Sequence, residues 1–471
     1  MMKKLLSTNV FNRTVPKAVM MLLIFAQSVL AIKSASPESI QSATPVLKVT
    51  GGKISGCIGE DAHILVYKGI PYAAPPIGDL RWKRPQPVKA WQGTRLCNTF
   101  SAMAFQRERD MKSFYGKEFH DPQSEPQRSE DCLYLNVWTP RSAAGNTKAK
   151  LPVVMWIHGG AYMTGFGFEK EMDGEAWAKR GVILVTINYR LNVFGFLAHP
   201  ALSAENKEGL SGNYGLYDQI AALQWVVNNI AQFGGDPKNI TVAGQSAGAG
   251  SVKNLVTSPL CKRFISKAII QSGFGGLILA TANKAKLEAL GMQMMDQLQA
   301  HTAKEMRALS AEKVLGALMP FMRQAKAGLF TSPYIDGVAL TEDFTSAVKD
   351  NSIADIPYLI GSNANDIPMD KAITDFAAAR DSLSKRPVYV YHFDRSLPGD
   401  TAGSFHSAEM WYTFHTLKRS WRPFTQADYE LSDRMVTYWT NFIKYGSPDG
   451  DKTWKPCTRK APYVEVLQTK I

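Results

Sequence analysis

The sequence predicts an α/β protein built on a large, mostly parallel sheet with helices on both faces. Short β-branched or apolar runs alternate with stretches of helical periodicity along the whole chain. Several of these runs are apolar on both faces, as strands of a buried parallel sheet must be. No linker divides the 471 residues into separate modules, so one large domain is expected. A composition of 45 % hydrophobic, 10 % aromatic and 20 % charged residues is that of a globular chain and excludes disordered, collagen-like and coiled-coil classes.

Taken in order, the chain opens with Lys3, Lys4, Arg13 and Lys17, with no acidic residue, before the apolar run Ala18 to Ile32, which contains the small-residue pattern Val29-Leu30-Ala31. Residues 1–31 read as a secretory signal. The run is broken by Gln27 and Ser28 and is shorter than the ~20 apolar residues a spanning helix needs. A secreted or periplasmic protein without stable membrane insertion is expected, with an uncleaved N-terminal anchor as the alternative. Residues 32–45 read as a lead-in and 46–471 as the one large domain.

The runs VVMWIHG (153–159), VILVTINYR (182–190), ITVAG (240–244), KAIIQSG (267–273), PYLIG (357–361) and VYVYHF (388–393) are predicted strands. Residues 216–233 are predicted helical, with Ile220, Leu223, Val227 and Ile230 on one face. Helices are also predicted over Lys284–Leu318 and Gln426–Tyr445.

The charge balance, 54 Lys+Arg against 41 Asp+Glu for a net +13, invites a nucleic-acid reading. Four of those positive charges lie in the leader. The remainder are dispersed and form no binding motif, so no nucleic-acid partner is expected. Cys57, Cys97, Cys132, Cys261 and Cys457 are too few for a disulfide scaffold. No zinc-type spacing occurs, and Gly248-Ala249-Gly250 and Gly273 to Gly276 lack phosphate-loop or dinucleotide spacing, so neither metal nor cofactor is expected.

The strongest chemical signal is Gly244-Gln245-Ser246-Ala247-Gly248, which follows a predicted strand and opens a helical segment. That context is a nucleophile elbow: the turn is tight enough to strain Ser246 and expose its hydroxyl, with the Ala247 N–H free at a helix start. A second signal is His158-Gly159-Gly160-Ala161-Tyr162 at the end of another apolar strand. Acyl transfer builds negative charge on a carbonyl oxygen, and the backbone N–H groups of Gly159, Gly160, Ala161 and Ala247 are the candidate oxyanion hole.

Several segments carry a resemblance. Phe233-Gly234-Gly235-Asp236-Pro237 through Gly248, Glu130-Asp131-Cys132-Leu133-Tyr134-Leu135-Asn136-Val137-Trp138, and the stretches at 69–87, 188–197 and 211–219 are similar to segments of the type-B carboxylesterase (cholinesterase-like) family, in its bacterial para-nitrobenzyl-esterase-like branch. The resemblance implies an α/β-hydrolase fold and hydrolysis of carboxylic esters by a serine, without a cofactor. It places the histidine at His406, with Glu409 downstream, and the acid at Asp366, where the family usually has Glu. Asp370 is a rival for the acid. His392 and His415, within apolar strand and helix patterns, read as packed structural residues.

The resemblance also implies a disulfide at Cys132, whose usual partner position holds Ala104, leaving Cys97 as the nearby alternative. Residues 98–131 contain no Trp, and Gln245 replaces the family's Glu beside the serine, so choline recognition is not expected. The span from Asp366 to His406 is often longer in the family. A shallow site is therefore expected, suited to acetyl or feruloyl esters on plant-type glycans or to general small esters. A non-catalytic adhesion-type protein of the same fold, an amidase and a transacylase are the alternatives, and the oligomeric state is open.

Overall fold

A run that is apolar on both faces is stable as a strand only when both faces are covered, and the arrangement of this chain meets that requirement. The computed structural model describes residues 44–274, 283–328, 330–384 and 386–469. The leader expected over 1–31 and most of the lead-in lie outside the described residues.

The central sheet has ten strands: β1 (Cys57–Ile58), β2 (Ile64–Pro71), β3 (Tyr134–Pro140), β4 (Leu151–Ile157), β5 (Ile183–Ile187), β6 (Gly235–Gln245), β7 (Lys267–Gln271), β8 (Tyr358–Asn363), β9 (Val388–Phe393) and β10 (Glu465–Leu467). Their spatial order is β10-β9-β8-β7-β6-β4-β5-β3-β2-β1. The strands from β10 to β5 in that order pair in parallel, and β3, β2 and β1 continue the sheet antiparallel.

Each of the six predicted strands is present. The antiparallel edge had no counterpart in the sequence reading, because β2 and β3 carry Gly69, Pro71 and Asn136, residues of poor strand propensity. Tertiary contacts override that preference. The ladder slips between Tyr67 and Ile70, and the Asn136 side chain accepts the Gly69 N–H at 2.9 Å.

Alternate residues of each central strand feed opposite layers, as the two-residue period demands. Val153, Met155 and Ile157 of β4 join one core with Leu216, Leu223, Val226 and Ile230. Val154 and Trp156 join the other, with Leu431, Met435, Trp439 and Phe442. The helix Tyr214–Asn229, continued by a 3-10 turn to Phe233, therefore covers one face, and the helix Gln426–Tyr445 covers the other. No helix among the described residues is long and apolar enough to cross a membrane.

Two expectations need correction. The stretch 284–318 is not one helix but three, Lys284–Gln297, Ala303–Ala308 and Ala311–Gln324. Thr302 and Ser310 accept the N–H groups of Glu305 and Lys313, each starting a new helix where the previous one would have continued. The Cys97–Cys132 bridge is not formed, and both residues are buried free thiols. Ala104, not Cys97, shares a small cleft with Cys132. The Cys97 backbone is instead tied to Ser55 and Lys68.

One buried ion pair joins β5's exit to the helix on the first face. Asp218 accepts two hydrogen bonds from the Arg190 guanidinium at 2.8 and 2.6 Å and a third from its backbone N–H at 3.0 Å. The two side chains are only 3 % and 0 % exposed, so removing one partner strands the other charge. Asp218→Ala is expected to lower unfolding stability by about 3–5 kcal/mol. Urea denaturation followed by tryptophan fluorescence checks this.

Candidate active site

Ser246 occupies the one residue between the end of β6 and the helix Ala247–Thr257. Its N–H completes the ladder to Gln271 O at 2.9 Å, and its carbonyl already accepts Gly250 N–H at 2.9 Å. One residue must therefore serve both strand and helix, and it does so at φ 58, ψ −123, a strained conformation for a residue with a side chain. The reversal brings the helix hard against β4. A Cβ at Gly248 would lie 2.0 Å from Ile157 O, so only glycine fits there. Ala247 begins the helix, where backbone N–H groups lack intrahelical partners.

The turn after β4 passes over the serine. Gly160, Ala161 and Tyr162 all have positive φ, at 94, 56 and 60. These residues form a tight turn closed by the Met163 and Thr164 N–H groups, which donate to Gly160 O at 2.9 and 3.0 Å. A Cβ at Gly159 would stand 2.9 Å from Gln245 O and 3.2 Å from Ser246 Cβ, which measures how closely the turn approaches the elbow. His158 is buried behind it, stacked on Tyr189 at 4.5 Å, with Nδ1 2.9 Å from Gly159 O. Burial pushes its pKa down to about 3, so it is a neutral support for the turn.

His406 Nδ1 lies 2.9 and 2.8 Å from the two carboxylate oxygens of Asp366. The loop that carries it is stitched to the end of β8. Asn365 Oδ1 accepts Ser404 N–H at 2.8 Å, and Asn363 Nδ2 donates to Phe405 O at 2.8 Å and to Glu409 Oε2 at 2.5 Å. Glu409 is fully buried and also accepts from Gln271 Nε2 at 3.2 Å, while Gln271 in turn accepts from Trp439 Nε1 at 2.9 Å. Burial pushes the Glu409 carboxyl up, against the opposing pull of Asn363.

Asp370 is set apart from His406. It begins the helix Asp370–Leu383, accepts from Ser362 Oγ at 2.8 Å and lies 3.7 Å from His392. His415 is 2.9 Å from Ser432 Oγ. His392 and His415 thus have polar neighbours of their own, and neither lines the cleft that holds Ser246 and His406.

Burial would raise the Asp366 pKa, but the hydrogen bond and charge of His406 outweigh it and hold the carboxyl below its usual value. Burial would lower His406, but the hydrogen bond and charge of Asp366, helped by the charge of Glu409, lift it above the ordinary imidazole value. His406 Nε2 faces Gln245 Nε2 at 3.2 Å. The Ser246 hydroxyl makes no hydrogen bond among the described residues.

Ser246, His406 and the turn Gly159–Ala161 line one cleft of about 490 Å³. The sequence reading passed over the short helix Phe114–Phe119, which arches over the histidine loop. Tyr115 Oη donates to His406 O at 3.3 Å, and Phe114 packs edge-on against Phe405 at 4.8 Å. Glu118, buried, accepts from Trp411, Trp421 and Arg422 and pins the helix in place. The aromatic spacing of FYGKEF after Ser113 was the available signal. Arg109, His120, Glu169 and Glu171 also line the cleft, and no motif marks them.

The family profile described as "Carboxylesterase family" matches residues 43–374 and 367–471. The chain belongs to the carboxylesterase family. It is 38 % identical over 486 residues to the para-nitrobenzyl esterase of Bacillus subtilis, covering 89 % of this chain and 94 % of that one. It is 37 % identical over 361 residues to the fumonisin B1 esterase of Sphingopyxis macrogoltabida, covering 76 % of this chain but only 63 % of that relative's length. Among solved structures, a thermophilic PNB esterase aligns with a TM-score of 0.78 at 28 % identity, over 90 % of this chain and 96 % of the other. Family membership makes the protein a carboxylic ester hydrolase in class, on an α/β-hydrolase fold.

The contacts of the two aspartates separate their expected effects. Asp366→Asn should lower kcat for p-nitrophenyl acetate by roughly 10³–10⁴, whereas Asp370→Asn should leave kcat near native. Steady-state kinetics of both variants make the comparison, and equal losses would count against the assignment.

Proposed function

We propose that this carboxylesterase acts through an acyl-enzyme formed on Ser246, with His406 as general base and Asp366 as the acid that orients it. The observation that carries this reading is the single cleft that collects the strained serine, the Asp366-bound imidazole and the left-handed glycine turn.

In this mechanism a substrate carbonyl enters the cleft, and His406 Nε2 takes the Ser246 proton as Oγ attacks. Gln245 gives up its contact with that nitrogen as the serine engages it. Asp366 holds Nδ1–H, fixing the tautomer and stabilising the imidazolium. The oxyanion is met by backbone N–H groups of the 159–161 turn and of Ala247, each worth roughly 3 kcal/mol of barrier. His406 then protonates the departing alkoxide, and water repeats the sequence to release the acid.

Small-molecule esters are the substrate class supported by the family. Acetyl and feruloyl esters attached to glycans are proposed in addition, because little chain is left to roof the cleft. Asp366 and His406 are 40 positions apart, and of the residues between them 14 form the helix Asp370–Leu383 and 6 form β9. We also read the leader as an export signal, which puts the reaction outside the cytoplasm. N-terminal sequencing of protein recovered from the culture fluid or periplasm should find the residues up to Ala31 removed.

Ser246→Ala is expected to abolish hydrolysis while leaving the circular dichroism spectrum native. His406 must be neutral to accept a proton, and its pKa is raised, so activity falls as pH drops through a value above the ordinary ~6.5. A kcat/KM profile with its acid inflection below 6.5 would contradict the Asp366–His406 coupling.

A further inference from the structure

We infer that Glu171 is a specificity-determining residue that receives a hydroxyl group of the substrate, so that the enzyme prefers hydroxylated esters to their alkyl isosteres. The inference rests on the ester-hydrolase reading of the cleft and concerns the wall that Glu171 shares with Arg109, His120 and Glu169.

On this wall Arg109 is ion-paired, although its Nε makes no hydrogen bond, whereas Glu171 is in no ion pair among the described residues. Arg109 Nη2 lies 2.6 Å from Glu169 Oε1, and its Nε lies 3.4 Å from Glu125. Burial and the neighbouring Arg109 push the His120 pKa down to about 3, so that ring is uncharged. Glu171 is 4 % exposed, and its Oε2 has no hydrogen-bond partner among the described residues. Its own carbonyl accepts from Thr416 Oγ1 at 2.8 Å, which fixes the backbone that presents it. Burial, then the charge of Glu169, pushes the carboxyl well above the carboxylate range.

A buried polar atom without a partner is rare in folded proteins and calls for an explanation. Glu171 lines the cleft that holds Ser246 and His406, and on this inference the missing partner of its carboxyl is a group on the bound substrate. A protonated carboxyl offers one donor and further acceptor capacity. A hydroxyl also donates and accepts, and satisfies both. An alkyl group leaves the carboxyl unpaired. A carboxylate would meet the charge of Glu169, and an ammonium would call for an ionised Glu171, which burial and Glu169 oppose.

The test uses two isosteric pairs, one for each side of the ester. Propyl butyrate and 2-hydroxyethyl butyrate differ by CH3 against OH in the alcohol, and methyl 3-methylbutyrate and methyl 3-hydroxybutyrate differ in the same way in the acid. The native enzyme is expected to favour the hydroxylated member of at least one pair by about tenfold or more in kcat/KM. Glu171→Leu should collapse that preference, and Glu171→Gln, which keeps a donor and an acceptor, should retain most of it. Each ratio is taken within one protein sample, so partial misfolding cancels. Glu171→Met serves if the Leu variant does not fold. No preference in either pair, or an unchanged ratio without the carboxyl, overturns the proposal. Failure of the native enzyme to hydrolyse p-nitrophenyl acetate would instead overturn the ester-hydrolase reading.

Discussion

The reversal of the chain within one residue at Ser246 is the constraint on which the rest of the site depends. It is possible because the helix that follows packs directly on the backbone of β4, with Gly248 offering no side chain to keep them apart. β4 itself lies between β5 and β6, so the strand against which the helix presses is hydrogen-bonded on both edges. Strain at a single residue persists only where its surroundings are this rigid. The same strand ends in the Gly159–Ala161 turn, so the support of the elbow and the proposed oxyanion donors share one piece of backbone.

The histidine side of the site is built differently. No regular element carries His406, and its loop is ordered by polar side chains: Asn363 and Asn365 from the end of β8, and the buried Glu409, Gln271 and Trp439 chain. Hydrogen bonds to a buried carboxyl are directional and expensive to leave unmade. They locate the imidazole more sharply than apolar packing alone would, and the helix Phe114–Phe119 presses on the loop from outside.

What could be read from the sequence follows from which forces are local. The parallel strands were legible because burial on both faces leaves an unbroken apolar run, as in Val153–Ile157 of β4. The elbow and the glycine turn were legible because close backbone approach excludes side chains, and glycine spacing records that. The antiparallel edge was not, since Gly69 and Asn136 are strand residues only in each other's company. Thr302 and Ser310 as helix starts were overlooked in favour of a continuous apolar periodicity. Asp366 and Asp370 stand four residues apart, and only the fold decides that the first reaches His406 and the second Ser362. The cleft wall of Arg109, His120, Glu169 and Glu171 comes from two loops joined by charge pairing, which no linear spacing encodes.

The order of strands in the sheet has a temporal side. Ser246 leaves β6, Asp366 follows β8 and His406 follows β9, while Gln271 behind the histidine loop is held by Trp439 in the last long helix. Ser246 precedes His406 by 160 positions, so a chain still being synthesised can contain the whole elbow before His406 is added. If His406 is the general base proposed for Ser246, the hydroxyl stays unactivated until nearly all of the polypeptide has been made and folded. On the proposed mechanism, hydrolytic activity is therefore a late property of biogenesis, reached only once the segment that carries and supports His406 is in place.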